Sequence, residues 1–280
     1  MAKKALLVGI NYPGTQFELR GCVNDIQLMN SILVNNLGFD DPKLIRMLTD
    51  QSATTQNILD RLEWLVEDAQ PGDTLFFHYS GHGSQTIDLD YDLNDEPDGY
   101  DEIICPIDID WRDKIIKDDD LKRIFDKVHP SVNLTVVLDC CHSGTGLRDF
   151  LPPLEMRDNL FGPTRNKTLP MPIDIENRGF GLELAPKPRT LTSMEDQRGL
   201  LISGCASNQT SADTWIQQMG KFHGALTYCM YCILYQHNYN ITYAQLVNEL
   251  NTMLKQSGFT QTPELNGPQA LFNKPFMYSN

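Results

Sequence analysis

Basic residues are scarce in this sequence. There are 23 Lys and Arg against 37 Asp and Glu, a formal net charge of −14, and no basic patch offsets it, which argues against a nucleic-acid partner. An acidic chain suits metal ions or cationic peptides, although acidic faces also serve solubility alone. No apolar run approaches the roughly 20 residues that a membrane helix needs, and the most apolar helix candidate, Ala225 to Tyr235, is too short. The N-terminus lacks the apolar region of a secretory signal, so no membrane partner is expected. Seven cysteines, an odd number, lack the spacing of a disulfide framework, and a reducing, cytoplasmic compartment is expected. Internal repeats are absent too.

What is present fits a folded α/β protein. At 280 residues with 41% hydrophobic content, the chain can bury a sizeable core as one large domain or two small ones. Lys4 to Ile10 reads as a first strand, which leaves no room for a folded segment ahead of it. Ile26, Met29, Ile32, Leu33 and Leu37 follow helical spacing from Cys22, and Gly38 is placed as a C-cap. Lys43 to Leu48 is a second strand. Thr54 or Thr55 caps a helix carrying Ile58, Leu62, Leu65 and Val66, which stops before Pro71-Gly72. Thr74 to Tyr79 and Leu134 to Leu138 read as buried strands, Glu102 to Ile107 as another, and Asp118-Asp119-Asp120 opens a helix through Val128. Alternating strands and helices predict a parallel sheet covered on both faces. Residues 147 to 198 show little periodicity and read as a functional or cleavable loop. Order returns with a strand at Gly199 to Gly204, helices at Phe222 to Gln236 and Tyr243 to Lys255, and a last strand and tail over Gln261 to Asn280. One domain over 1–280 is expected, with a large part (1–146), the loop (147–198) and a small part (199–280).

The chemistry gathers at two strand ends, HYSGHGSQ and VVLDCCHSGT, because ligand crevices in open α/β sheets lie at that edge. A thiol with the ordinary pKa of about 8.5 is mostly protonated at neutral pH, and an imidazole within reach takes that proton and returns it to a leaving amine. Cys141 and His82 are the candidate nucleophile and base. Glycines flank His82, and the main-chain N–H groups of Gly83 and Cys141 are candidate oxyanion donors. Cys140 is one residue out of strand phase and should face the core. His78 and His142 read as structural. Asp139 shares a face with Cys141; it either caps a turn or binds a cationic substrate side chain that offsets its cost to the thiol. Cys229-x-x-Cys232 lies in an apolar helix and reads as core rather than zinc. Asp90-x-Asp92-x-Asn94 is not an EF-hand, since its sixth position is Asp95 rather than glycine.

Together HYSGHGSQ, DGYDEIICPID, the DDDL run, VVLDCCHSGT, and GCASNQTSAD followed by GALTY resemble a metacaspase, a caspase-like cysteine peptidase of the prokaryotic (orthocaspase) or short type I kind. The resemblance runs from about Lys4 to Leu265. It implies a caspase-like α/β/α sandwich with a mostly parallel central sheet, acting as a monomer. His82 and Cys141 would be the dyad, and peptide or protein substrates would be cut after Arg or Lys. The pocket acids fall on Asp25 and Asp139, with Ser80 and Cys22 nearby. Two carboxylates would repel an aspartyl side chain and hold a guanidinium.

The resemblance also implies calcium as a possible activator, with ligands at Asp101, Asp118 and Asp119. The fourth family position is displaced here: SGTGLRD carries one extra residue, which puts Arg148 at the expected place and leaves Asp149 beside it. Self-cleavage at Arg157, Arg165, Lys167, Arg178, Lys187, Arg189 or Arg198 would suit this specificity, and the sequence does not choose among them. Two other readings stay open: a calcium-binding module with its peptidase activity lost, and an Asp-specific caspase-like peptidase. The presence of both dyad residues favours an active enzyme over the binding module.

Overall fold

The computed structural model describes residues 1–87, 100–141, 160–176, 198–205 and 209–278. Six strands form the central sheet in the order β12-β9-β7-β3-β1-β2. These are β1 (Lys3–Gly9), β2 (Ile45–Thr49), β3 (Thr74–Ser80), β7 (Asn133–Asp139), β9 (Leu200–Ser203) and β12 (Glu264–Asn266). All neighbouring pairs are parallel except β12 with β9. Alternation along the strands divides the core in two. Ala5, Leu7, Phe76, Val137, Leu200 and Ile202 face α1 (Cys22–Asn36), α5 (Ala225–Gln236) and α6 (Tyr243–Gln256) on one side. Leu6, Val8, Leu75, Phe77, Val136 and Leu138 face α2 (Thr55–Val66) and α3 (Asp118–Phe125) on the other. This is the expected sandwich with a mostly parallel sheet. Strands buried on both faces explain the near-continuous apolar runs at β3 and β7.

Local signals account for most element ends. Thr54 is the N-cap of α2, its side chain accepting from the Asn57 N–H, and Gly38 takes a left-handed φ of 71° just beyond α1. Two three-stranded sheets stand outside the main one. The first joins β4 (Gly83–Ile87), β5 (Tyr100–Ile104) and β6 (Ile116–Lys117); the second joins β11 (Lys221–Gly224), β10 (Ala212–Ile216) and β8 (Phe161–Asn166).

Three expectations change. The helix expected from Phe222 begins at Ala225, because Lys221–Gly224 is strand β11, paired antiparallel with β10. The helix opened by Asp118 ends at Phe125 rather than Val128. The described part of the 147–198 stretch is not a featureless loop: it contains β8 and a short helix, α4 (Ile173–Glu176). FGPTRN carries Gly and Pro and no alternation, so nothing local marks β8 as a strand; pairing with β10 makes it one.

Candidate active site

Parallel pairing sets the site. Ser80 at the end of β3 lies opposite Asp139 at the end of β7 and opposite Gly9 at the end of β1, so the loops carrying His82 and Cys141 leave the sheet side by side. Their main chains are in close contact. A Cβ on Gly83 would collide with the Cys141 carbonyl, which is why glycine is needed there.

His82 is almost completely buried. Its Nε2 lies 2.6 Å from the Phe17 carbonyl, and because a carbonyl only accepts, Nε2 carries the hydrogen and Nδ1 is left with its lone pair. The loop is held by Tyr12, whose hydroxyl accepts from the His82 N–H at 3.0 Å, and by Tyr79, whose hydroxyl donates to the His82 carbonyl at 2.7 Å. Burial pulls the ring pKa down to about 4, against the hydrogen bond to Phe17, so the imidazole is neutral at physiological pH.

Cys141 is fully buried too, and burial alone would raise its thiol. The side chains of Cys205 and Thr168, the Ser211 N–H and the Lys167 charge outweigh that and bring it below the ordinary thiol value. Its Sγ accepts from the Ser211 N–H and lies 3.6 Å from the Ser211 carbonyl. Among the described residues no hydrogen bond joins the Cys141 sulfur to the His82 ring. Cys140 points into the opposite core, as the strand phase predicts. His78 is buried beside Thr227, while His142 and Asp149 lie outside the described residues.

What fills the crevice is the chain itself. Lys167, fully buried, places its Nζ 3.0 Å from Asp139 Oδ1, 3.3 Å from Asp25 Oδ2 and 2.9 Å from Ser80 Oγ. Ser80 Oγ in turn donates to Asp25 at 2.7 Å. The Lys167 main chain is held just as closely. Its N–H donates to the Ser211 carbonyl at 3.0 Å, and its carbonyl accepts from the Gly83 N–H at 3.0 Å and the Cys141 N–H at 3.4 Å. On the N-terminal side Asn166, Arg165 and Thr164 run antiparallel to Ala212, Asp213 and Thr214 of β10.

The expected pocket residues Asp25, Asp139 and Ser80 thus meet around one ammonium, with Cys22 buried close enough to interact with it electrostatically. Three further residues were not foreseen. Asp213 is buried, its Oδ2 accepting from the Arg20 N–H at 2.7 Å. His223 Nδ1 lies 3.0 Å from Asp25 Oδ1. Gly224 donates its N–H to Asp25, and a Cβ there would overlap Asp139 Oδ2 and the Lys167 Nζ. All three lie in or beside the GCASNQTSAD and GALTY blocks, so the signal was in hand but carried no role.

Two carboxylates, Asp139 and Asp25, pair with the Lys167 ammonium, and a third, Asp213, is buried within range of its charge. Burial raises Asp139, and it lifts Asp213 to about 6, in both cases against the pull of Lys167. Asp25 is held below the ordinary carboxylate range: burial opposes this, but Lys167, His223 and Ser80 prevail. Lys167 is itself raised well above its usual value; its carboxylate neighbours overcome the cost of burial.

Of the expected calcium ligands, Asp118 and Asp119 open α3, and Asp149 lies outside the described residues. Asp101 on β5 is buried with its carboxylate 2.6 Å from Lys117 Nζ. Among the described residues no group of three or more ligating side chains is placed to hold a metal ion.

A cysteine and a histidine carried by neighbouring strand ends of this α/β/α sandwich, beside main-chain amides that hold a peptide carbonyl, fit one class: a caspase-like cysteine-type peptidase. The family model for the metacaspase peptidase C14 domain matches residues 3–149. The chain is 36% identical to Metacaspase-1 of Schizosaccharomyces pombe, over 94% of this chain and 67% of the relative. It is likewise 36% identical to Metacaspase-1 of Emericella nidulans (96% and 71%) and 34% identical to Metacaspase-1B of Aspergillus niger (94% and 64%), so it spans about two thirds of these relatives' lengths. A crystal structure of a Geobacter sulfurreducens protein superposes with a TM-score of 0.68 at 25% identity, covering 100% of this chain and 99% of that one. The chain belongs to the metacaspase family. No helix among the described residues is long and apolar enough to cross a membrane.

Proposed function

We propose that the protein is an endopeptidase that cuts after Lys or Arg through Cys141 and His82, and that its own Lys167–Thr168 bond is the first bond it cuts. The observation that carries this reading is Lys167, its side chain bound as a substrate's would be while its carbonyl rests between two amide donors. Of the seven cationic candidates, Arg165 points to the Glu18 carbonyl instead.

In this reading His82 Nδ1 takes the Cys141 proton and the thiolate attacks the Lys167 carbonyl carbon. The Gly83 and Cys141 N–H groups hold the oxyanion. His82 then protonates the departing Thr168 nitrogen, and water hydrolyses the thioester. The sulfur must first turn away from the Ser211 N–H. Until the bond is cut and the segment leaves, the cleft is closed to other substrates. Arginine suits the same pocket: Asp213 Oδ1 is buried with no hydrogen-bond partner, an acceptor that a guanidinium, longer and forked, can use.

Calcium activation belongs to the proposal in a restricted form. A divalent ion at Asp101 has to displace Lys117, so calorimetry should detect calcium binding that tightens in Lys117→Met; no binding to either protein removes calcium from the reading.

Intact-mass analysis tests the proposal. The wild type should yield a new C-terminus at Lys167, Cys141→Ala and His82→Ala should stay whole, and Lys- or Arg-coumarin peptides should be hydrolysed by the wild type alone. Cleavage of Asp peptides in preference to these would favour the Asp-specific alternative instead.

A further inference from the structure

The segment that occupies the cleft does not leave it after Lys167. Thr168 bridges in parallel to Gly83. The Leu169 N–H donates to the Gly83 carbonyl at 3.0 Å, and the Leu169 carbonyl accepts from Ser84 Oγ at 2.6 Å. Ser84 is fully buried and Leu169 only 7% exposed. The leucine joins the hydrophobic cluster that contains Ile103, Ile104 and Ile116 of the small β4-β5-β6 sheet. Arg165 and Asn166, on the other side of the bond, are only half-buried, and Pro170 is exposed again. Deep burial around the bond is therefore confined to Lys167, Thr168 and Leu169.

Burial of that pattern discriminates between side chains. A leucine in an apolar trench gains its transfer energy from water, whereas an aspartate there would lose hydration with no partner. The main chain on this side is read as a short added strand on β4, which supplies affinity but no sequence preference. Preference comes from the trench.

We propose that the trench now holding Leu169 is a specificity subsite for substrates, selecting a large aliphatic side chain two residues beyond the cut bond, and that Ser84 positions the main chain there. The inference rests on the reading of Lys167 as the residue before that bond. It extends the substrate class from proteins with Lys or Arg to proteins in which Lys or Arg is followed, after one further residue, by Leu or a similar side chain.

The test uses internally quenched peptides with the sequence of residues 164–170, unchanged except for Leu, Ala or Asp at the position of Leu169, beside a coumarin peptide that ends at Lys. With self-processed enzyme, kcat/KM should fall about tenfold from Leu to Ala and about a hundredfold or more from Leu to Asp. Ser84→Ala should lower the ratio of the extended Leu peptide to the coumarin peptide by about three- to tenfold, a ratio that a general loss of folded enzyme would not move. Rates equal within about twofold across the three peptides, with Lys still required, overturn the inference while leaving the Lys/Arg reading standing. Failure to cut any Lys peptide, extended or short, overturns that reading and this one with it.

Discussion

Replacing Lys167 by methionine removes the cation from a pocket that holds Asp25, Asp139 and Asp213 out of water. The three pocket distances of the Lys167 Nζ, 3.0 Å to Asp139, 3.3 Å to Asp25 and 2.9 Å to Ser80, are those of a fully engaged buried ion pair. Breaking such a pair by removing one partner costs about 3–5 kcal/mol, because the remaining charge is left uncompensated. The protein can escape this cost by withdrawing the segment and letting water reach the carboxylates. A cost of that size shifts the balance between seated and withdrawn segment by about 150- to 5,000-fold. Lys167→Met should therefore stay uncut after residue 167 yet hydrolyse Lys-coumarin peptides without prior self-processing, and its 160–176 segment should become sensitive to an added protease. Lys167→Arg should keep both self-cleavage and latency. Continued cutting after residue 167 in the methionine variant, or latency and protection equal to those of the wild type, would refute the argument that the ammonium holds the segment in place.

Two further outcomes follow from the same geometry. Gly224 has φ −61° and ψ 133°, values any residue adopts, so the backbone tolerates Gly224→Ala and its circular dichroism spectrum should stay that of the wild type. Its methyl group, however, intrudes among Asp139, Asp25 and the bound cation, and kcat/KM for Lys and Arg peptides should drop by about a hundredfold or more; an active Gly224→Ala would show that the cation binds elsewhere. The second concerns pH. His78 and His82 are both pulled down to about 4 by burial, so between about pH 6.5 and 4 the unfolded chain binds more protons than the folded one and stability falls as pH falls. Each histidine contributes about 3 kcal/mol across that window. Asp213, raised by burial to about 6, acts in the opposite sense, favouring the fold at low pH and losing that contribution as pH rises through 6. Asp139, also raised by burial, acts with Asp213, whereas Asp25, held low by Lys167, acts with the two histidines. Urea unfolding of the uncut Cys141→Ala protein should show a lower stability at pH 4 than at pH 7, and an unchanged or higher value at pH 4 would contradict the burial of neutral imidazoles.

Much of this protein is legible residue by residue. The spacing of Ile26, Met29, Ile32 and Leu33 determines α1 and the face it buries, and the β-branched runs of β3 and β7 allow only buried strands. Both place His82 and Cys141 at the same edge, since parallel strands of equal register end together. The choice of Asp25 and Asp139 as pocket acids needed the family's blocks as well, because two carboxylates 114 positions apart in sequence have no local reason to meet.

Tertiary structure decided the rest, and the reason is the same in each case: the partner is distant along the chain. Strand β8 exists because β10 offers it hydrogen bonds, not because FGPTRN favours an extended form. Gly224 is confined by side chains from α1 and β7 and by Lys167 rather than by its own dihedral angles. Composition shows only seven cationic candidates beyond the nucleophile; the fold brings one of them, Lys167, between Asp25, Asp139 and Ser80. Local pattern determined which segments are strands and helices and which strand ends carry chemistry, whereas long-range packing determined which residue the chemistry faces.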